Sequence, residues 1–168
     1  MSAMIQLVAF LLDGQQFAVH LSSVEGVVRI VEITPLPKAP DIVSGIINYK
    51  GAIIPVMNVR RRCTIQEREI ELSDQLIIAN TAQRTVALHV DHVSGVIERL
   101  QDHIIDAKAI LPELPYIEGV IKLEDGMILI HNLDQFLSLE EEKILGEAMA
   151  AHIKEGRQAE GKKKRRKR

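Results

Sequence analysis

Residues 45–60 read GIINYKGAIIPVMNVR, and this stretch decides the fold class. Two apolar runs, residues 46–49 and 52–57, flank Lys50-Gly51, and a two-residue connection with glycine is typical of a β-hairpin turn. Pro55 has no backbone N–H, so it predicts that its strand lies at a sheet edge or is bulged there. The stretch therefore indicates antiparallel β-structure with an edge that another chain can use.

The same pattern recurs along the chain, where short apolar segments alternate with turn residues. The three further predicted hairpins turn at Asp13-Gly14, Ala82-Gln83 and Glu124-Asp125-Gly126, and their arms are residues 5–12 and 16–21, 74–81 and 84–90, and 116–123 and 127–133. Arms of five to eight residues are usual strand lengths. This spacing favours a many-stranded antiparallel protein over repeated βαβ units.

Two segments depart from the hairpin pattern. TPLPKAP (34–40) predicts an extended loop, because each proline fixes its own φ and keeps the preceding residue out of the helical region; we expect it to link two sheets. Ser138 and Glu141 have the spacing of a helix capping box. The helix that follows is expected to place five apolar side chains near one face, namely Leu139, Ile144, Leu145, Ala148 and Ile153.

The composition excludes a disordered chain. Of the 168 residues, 46% are hydrophobic, which is enough for a real core, as one domain or as two small lobes. Aromatic residues are 3% and Trp is absent, so Ile, Val and Leu must build the core, and the β-branched residues among them favour strands. The sequence predicts neither a membrane span nor a signal for export.

Charge is distributed unevenly. Residues 162–168 read KKKRRKR and hold seven of the 21 Lys and Arg residues, which leaves 14 basic against 23 acidic residues in the rest of the chain. A block of like charges repels itself and stays solvated, so residues 156–168 are predicted to form a disordered basic tail. With no aromatic residue among these charges there is no base-stacking platform, and we expect no specific nucleic-acid binding.

Residues with catalytic or metal-binding chemistry are present but lack a motif. Cys63 is the single cysteine, so it forms no internal disulfide, and no nucleophile motif surrounds it. HVDH (89–92) resembles a metal pair, yet in a strand His89 and Asp91 share one face while His92 lies on the other, and no third ligand is close in sequence. Glycine-rich phosphate-binding patterns are absent from the sequence. We therefore predict no catalysis, no metal and no cofactor.

Four ordered segments carry a family resemblance: AFLLDGQQFAVHLSSVEGVV (9–28), ITPLPKAPDIVSGIINYKGAIIPVMNVRRR (33–62), RTVALHVDHVSGVIE (84–98) and IEGVIKLEDGMILIHNLDQFLS (117–138). Together they resemble the CheW family of chemotaxis coupling proteins over about residues 5–145. The most specific part is, in order, a proline, the glycine that opens the Asn-x-basic-Gly hairpin, Ile-Pro-Val and a basic residue.

The resemblance implies a CheW-like domain over residues 1–155, made of two SH3-like five-stranded β-barrels that share an apolar core. It implies a non-catalytic adaptor in the cytoplasm, recruited to chemoreceptor arrays. The implied partners are the regulatory domain of a CheA-type histidine kinase and the cytoplasmic tip of methyl-accepting chemoreceptors. On this interpretation the hairpin of residues 45–60 is a docking surface, where Ile and Val supply contact area and Lys50 supplies charge.

The resemblance also assigns residues. A receptor-facing groove matches at Val24, Gly45, Lys50 and Val96, and the hairpin scaffold matches at Asn48, Gly51 and Pro55. Two departures affect which receptors are bound. Lys50, after Tyr49, stands where the family usually has Arg, and Lys cannot form a bidentate pair with a carboxylate. Gly26 stands where members often have Glu, either as a backbone bend or as a change of specificity.

Rival function classes make different demands. An enzyme would need a convergent polar cluster in a deep pocket, which the sequence does not offer. A polyanion-binding module would have to act through the basic tail alone, with affinity that falls steeply as salt rises. The adaptor interpretation is favoured. It leaves open whether the output is flagellar swimming, pilus motility or another response, because those differ in the partners.

Overall fold

The computed structural model describes residues 3–166 of the chain, which are mainly β-strands. The strands are β1 Met4–Leu12, β2 Gln15–His20, β3 Val24–Arg29, β4 Val43–Tyr49, β5 Ala52–Asn58, β6 Gln75–Asn80, β7 Thr85–Val90, β8 His92–Leu100, β9 Ile104–Asp106, β10 Ile117–Leu123 and β11 Gly126–His131. The helices are α1 Val59–Arg62, α2 Ala107–Ile110 and α3 Leu139–Arg166, with 3-10 turns at Leu21–Ser23, Gln101–His103 and Leu133–Gln135.

The strands form two sheets. One has six strands in the order β8-β1-β2-β11-β10-β9, and the other has five in the order β3-β6-β7-β5-β4. The prediction of five strands per lobe holds for the second sheet only. In the first, the chain leaves β8 through one 3-10 turn and pairs again as the three-residue strand β9, which adds the sixth strand.

All four predicted hairpins are present, as β1–β2, β4–β5, β6–β7 and β10–β11. The prediction of an antiparallel protein is incomplete, because each sheet contains one parallel pair, β2 with β11 and β5 with β7. These parallel pairs join hairpins that are distant in sequence. Local turn chemistry specifies the hairpins but carries no information about how they pair with one another.

The predicted edge position of Pro55 is wrong. Strand β5 lies between β7 and β4, and Pro55 pairs with Ile46 without a bulge. The ladder between β5 and β7 begins at Val56, one residue after Pro55. Pro55 therefore occupies a position where its strand is paired on one side only, which is where a missing N–H is tolerated.

The proline-rich loop does not link the two sheets. It connects β3 to β4, which are the two outer strands of the five-stranded sheet. At the start of the loop Thr34 forms a bridge with Ile46, with backbone N···O distances of 2.9 and 2.8 Å. The segment that leaves one outer strand thus pairs with the other, which closes the five-stranded sheet on itself.

Apolar side chains form three buried clusters. The largest draws on both sheets, for example Phe10 and Val19 from the six-stranded sheet and Met57 and Ile77 from the five-stranded one. A second cluster lies within the five-stranded sheet and a third within the six-stranded sheet. Strands with both faces buried read as continuous apolar runs rather than as an alternating pattern. This explains the runs on either side of Lys50-Gly51.

The chain contains an internal repeat, and each of its two copies pairs one hairpin with strands of the other copy. Residues 6–29 align without a gap with residues 75–98, and both segments contain Gln-Leu at the start and Val-x-Gly-Val near the end. Residues 43–58 align in the same way with 117–132. The hairpin β1–β2 of the first copy pairs with strands of the second, and β6–β7 of the second pairs with strands of the first. Each sheet is therefore built from both copies.

The C-terminal helix begins as predicted. The Ser138 amide donates to the Glu141 carboxylate at 2.9 Å, and the Glu141 amide donates to Ser138 Oγ at 3.1 Å, which is a reciprocal capping box. The buried face is narrower than predicted. Leu145 and Ala148 are buried, whereas Leu139, at the solvent-facing start of the helix, is 94% exposed, and Ile144 and Ile153 are also exposed.

The helix runs without a break across the boundary predicted at residue 156 and continues to Arg166, the last described residue. The backbone of residues 156–166 is helical rather than irregular. Lys, Arg, Glu, Gln and Ala are good helix formers, and basic residues near a helix C-terminus interact favourably with its dipole. The last two residues of the predicted tail lie outside the described residues.

Candidate functional site

The turn between β4 and β5 has a fixed backbone. Lys50 has a φ of 50° and Gly51 a φ of 86°, and positive φ at both central residues is the geometry of a type I′ turn. The side-chain Oδ1 of Asn48 accepts a hydrogen bond of 3.0 Å from the Gly51 amide. Asn48 and Gly51 thus hold the turn in place, and the exposed Lys50 lies at its tip.

The Lys50 ammonium lies over an aromatic ring. Its Nζ is 5.3 Å from the ring centroid of Tyr49, within the range of a cation–π interaction. Among the described residues Lys50 has no carboxylate within ion-pair distance. The positive charge at this turn is therefore available to the carboxylate of a partner.

Tyr49 itself is half-buried. Its ring packs against the apolar cluster inside the five-stranded sheet. The phenol reaches β3, where a Cβ added at Gly26 would lie 3.4 Å from Tyr49 Oη. Gly26 does not have a positive φ, so its backbone does not require glycine. A Cβ at this position would be in ordinary van der Waals contact with the phenol, so only a side chain larger than methyl would crowd Tyr49.

Gly45 has a structural explanation. A Cβ at this position would lie 2.3 Å from the carbonyl oxygen of Thr34, much closer than atoms can approach. Any other residue would push Thr34 away and break the bridge between Thr34 and Ile46 that closes the sheet. Gly45 is thus required by the fold, whether or not a partner contacts it.

Seven of the eight residues assigned from the resemblance lie on the five-stranded sheet or its turn, namely Val24, Gly26, Gly45, Asn48, Lys50, Gly51 and Pro55. The eighth, Val96, lies on β8, an outer strand of the six-stranded sheet, and is 56% exposed. The structure places Gly26 next to Tyr49, since a Cβ at Gly26 would lie 3.4 Å from Tyr49 Oη, whereas Val96 pairs with Val8 in the other sheet.

The hairpin supplies less apolar docking area than the sequence suggested. Ile46, Ile47, Ile54 and Val56 are buried in the core, and only Ile53, which is 39% exposed, offers a large aliphatic side chain to solvent. Ile53, Tyr49 and Lys50 line an open groove, together with Glu25, Ala52, Ile54, Pro55, Arg84, Thr85 and Met149. The resemblance did not assign Glu25, Arg84 or Met149. Arg84 and Met149 come from distant parts of the chain, whereas Glu25 lies between the assigned residues Val24 and Gly26.

The HVDH segment belongs to a cluster of ionisable side chains at the junction of the two sheets. The cluster consists of Asp13, Arg60, Arg68, Asp74, His89 and Asp91. Arg60 Nη2 lies 2.8 Å from Asp13 and 2.7 Å from Asp91. Asp13 is in the β1–β2 turn, and Asp91 follows β7. Arg60, which is 7% exposed, therefore ties a turn of one sheet to a strand end of the other.

Arg68 extends the cluster. Its Nη2 lies 2.7 Å from Asp74 and 2.8 Å from Asp91, and His89 Nε2 lies 2.7 Å from Asp74. Burial by itself raises the pKa of Asp74, but the hydrogen bonds from Arg68 and His89 outweigh it and lower the pKa to about 2. The Arg60 hydrogen bond likewise lowers the pKa of Asp13. The cluster is thus a structural ion network, and His89 acts in it as a partner of Asp74.

Cys63 and His131 lie in an unreactive environment. Cys63 Sγ is 3.8 Å from His131 Nε2, beside the aromatic rings that surround the imidazole. Burial raises the pKa of the Cys63 thiol to about 12 and lowers the pKa of His131 to about 3. A thiol with a raised pKa stays protonated at neutral pH and is a poor nucleophile.

A second concave surface lies on the six-stranded sheet. This cleft has a volume of about 990 Å³ and includes His20 and Glu118, which form an ion pair, together with Ile104, Leu111 and Asn132. The hydrogen bond to Glu118 raises the pKa of His20. Within residues 3–166, no group of three or more His, Cys, Asp and Glu side chains is placed to hold a metal ion.

No helix in the described part of the chain has both the length and the apolar character needed to span a bilayer.

Comparison with known proteins gives a consistent family. The CheW-like domain family matches residues 6–141. The chain is 30% identical over 138 residues to the chemotaxis protein CheW of Rhizobium meliloti, a match that covers 81% of this chain and 89% of that protein.

Two further relatives agree. The chemotaxis protein CheW of Thermotoga maritima is 29% identical over 133 residues, covering 79% of this chain and 87% of that protein. The crystal structure of the scaffolding protein TtCheW from Thermoanaerobacter tengcongensis matches with a TM-score of 0.75 at 29% identity, covering 84% of this chain and 96% of that one. The chain therefore belongs to the CheW family and has the fold of a chemotaxis scaffold protein.

Proposed function

We propose that this chain is a non-catalytic adaptor that couples methyl-accepting chemoreceptors to a CheA-type histidine kinase. The family match, which spans almost the whole two-sheet body, carries this proposal. The described residues agree with it, because the ionisable groups with strongly shifted pKa values are engaged in internal ion pairs or buried in the core. The adaptor acts in the cytoplasm, at the receptor array.

The receptor-facing surface in this proposal is the end of the five-stranded sheet around the Lys50-Gly51 turn. Lys50 is exposed, has no carboxylate partner within the described part of the chain and lines the same groove as the partly exposed Ile53, so the surface offers one cation and one aliphatic contact. An interface of this kind uses the apolar contact for area and the charge for orientation. In this proposal Val24, Gly26 and Val96 also contribute to the surface that binds the partners.

The test is a titration of the purified chain against the regulatory domain of the CheA-type kinase from the same cell, with and without a receptor tip fragment. Saturable one-to-one binding to each partner, retained at moderate salt and after removal of residues 157–168, supports the adaptor. If neither partner binds, the fold serves another interaction. Binding that is lost with the basic residues and falls steeply with salt supports the polyanion-binding alternative instead.

The structure does not favour one output over another. Flagellar swimming, pilus motility and other chemosensory responses differ in the kinase and receptors rather than in the adaptor fold. Titration against each kinase regulatory domain of the cell assigns the pathway, because the cognate domain should bind more tightly than the others.

A further inference from the structure

The Tyr49-Lys50 pair is built differently from its counterpart in the other copy of the internal repeat. In the alignment of residues 43–58 with 117–132, Leu123 is equivalent to Tyr49 and Glu124 is equivalent to Lys50. The second hairpin thus carries an aliphatic residue and an acid where the first carries an aromatic residue and a base. The placement of a lysine over an aromatic ring is therefore specific to the β4–β5 hairpin and is not a general property of the fold.

The two copies also use glycine for different reasons. Gly95, the counterpart of Gly26, has a φ of 129°, a conformation that side chains rarely adopt, and a Cβ there would meet nothing within 4 Å. Gly26 has no such backbone requirement, and the one heavy atom that its Cβ would meet within 4 Å is Tyr49 Oη, at 3.4 Å. A methyl group at position 26 would therefore touch the phenol, and a larger side chain would crowd it.

We propose that Tyr49 positions Lys50 for a carboxylate on the receptor tip and that a small residue at position 26 keeps Tyr49 in place, because a Cβ there would already touch the phenol. This inference rests on the proposed function. A free lysine side chain loses conformational freedom when it pairs with a partner. The Tyr49 ring, held by the core below it, restricts the ammonium before the partner arrives.

The partner chemistry follows from the charges of the groove. Lys50 has no ion-pair partner among the described residues, whereas Arg84, which lines the same groove, is paired with Glu142 at 2.6 Å. Lys50 is therefore the cation of the groove that is free to bind an acid. Glu25 lines the same groove and repels a carboxylate, so an acidic group of the partner is favoured at Lys50 and disfavoured near Glu25.

A pair of compensating substitutions, a larger residue at Gly26 and a smaller one at Tyr49, tests the inference. A Cβ at position 26 would already touch Tyr49 Oη, so the γ-methyl groups of Gly26→Val are expected to crowd the phenol, and the variant should be less stable to urea than the wild type. Adding Tyr49→Leu removes the phenol, and the double variant should regain most of that stability. The affinity of the double variant for a receptor tip fragment should nevertheless stay about threefold weaker than that of the wild type, because the support of the cation by the ring is lost.

Two controls separate positioning from folding. In a Lys50→Ala background, Tyr49→Leu should cause no further loss of tip affinity, because the cation that it supports is absent. Leu123→Ala, in the equivalent hairpin of the other sheet, should lower stability to urea without changing tip affinity. Affinity is measured by calorimetric titration with the same tip fragment throughout.

The outcomes are distinguishable. If Gly26→Val with Tyr49→Leu regains both stability and tip affinity, Tyr49 is a packing residue and the inference is overturned. If Lys50→Ala leaves tip affinity unchanged, the cation is not the contact and the inference is equally overturned. A wild-type chain that binds the kinase regulatory domain but no tip fragment overturns the receptor part of the proposed function as well.

Discussion

The ionised Asp74 carboxylate should stabilise the folded chain at neutral pH and less so in acid. Substitution of Asp74 should remove this contribution to the pH dependence of stability. Its side chain is fully buried and accepts hydrogen bonds from Arg68 at 2.7 Å and from His89 at 2.7 Å. These bonds stabilise the ionised form and lower the pKa from an ordinary value of 3.8 to about 2. Asp74→Asn keeps the shape of the side chain and removes its charge.

The magnitude follows from the pKa shift. At about 1.4 kcal/mol per pKa unit, the ionised carboxylate contributes roughly 2.5 kcal/mol to the free energy of unfolding at neutral pH. Because the pKa is lower in the folded state, this contribution is present above the unfolded value and is lost as the pH falls toward the folded value. At pH 3 about half of it should remain.

Urea unfolding followed by circular dichroism at pH 7 and pH 3 measures the effect. Asp74→Asn should lower the free energy of unfolding by about 2.5 kcal/mol at pH 7 and by about half as much at pH 3. Asp125→Asn, in the exposed turn between β10 and β11, is the matched control and should change it by less than about 0.5 kcal/mol at either pH. An equal loss at both pH values would refute the reasoning, since the cost would then come from geometry and not from charge.

Three further outcomes are expected. Lys50→Glu should weaken binding of a receptor tip fragment roughly tenfold, because it replaces an attraction of up to about 1 kcal/mol by a repulsion of similar size; an unchanged pull-down would remove Lys50 from the site. Deletion of residues 157–168 should leave the melting temperature and kinase coupling unaltered, since no buried side chain is described beyond residue 152; lost array assembly would show that the segment is functional. Ser138→Ala should cost about 1 kcal/mol through loss of the capping box, and urea unfolding at an unchanged midpoint would contradict this.

Local sequence signals predicted the hairpins and the helix start correctly. Asp13-Gly14 and Lys50-Gly51 turn where expected, because glycine and its neighbour adopt positive φ there. The Ser138–Glu141 capping box forms because both of its partners lie within one helical turn. Such features depend on neighbouring residues, so a single sequence contains the information needed to predict them.

Features that depend on distant residues were predicted poorly. The edge position assigned to Pro55 was wrong because the β5–β7 pairing joins segments about thirty residues apart, a separation on which turn chemistry has no bearing. The role of Gly26 likewise depends on Tyr49, which lies across the sheet. One available signal was missed: the gap-free alignment of residues 6–29 with 75–98 would have revealed two copies of one unit and directed attention to how they pair.

The exchange of hairpins between the two copies determines how the chain can be divided. A cut in the segment between α1 and β6 would leave the first fragment with β3, β4 and β5 but without their neighbours β6 and β7, and the second fragment would lack β1 and β2. Neither fragment would possess a complete sheet, although the cut falls between the two repeated halves of the sequence. In each sheet, a hairpin from one half of the sequence lies between strands from the other half. The two sheets must therefore form and unfold as one cooperative unit.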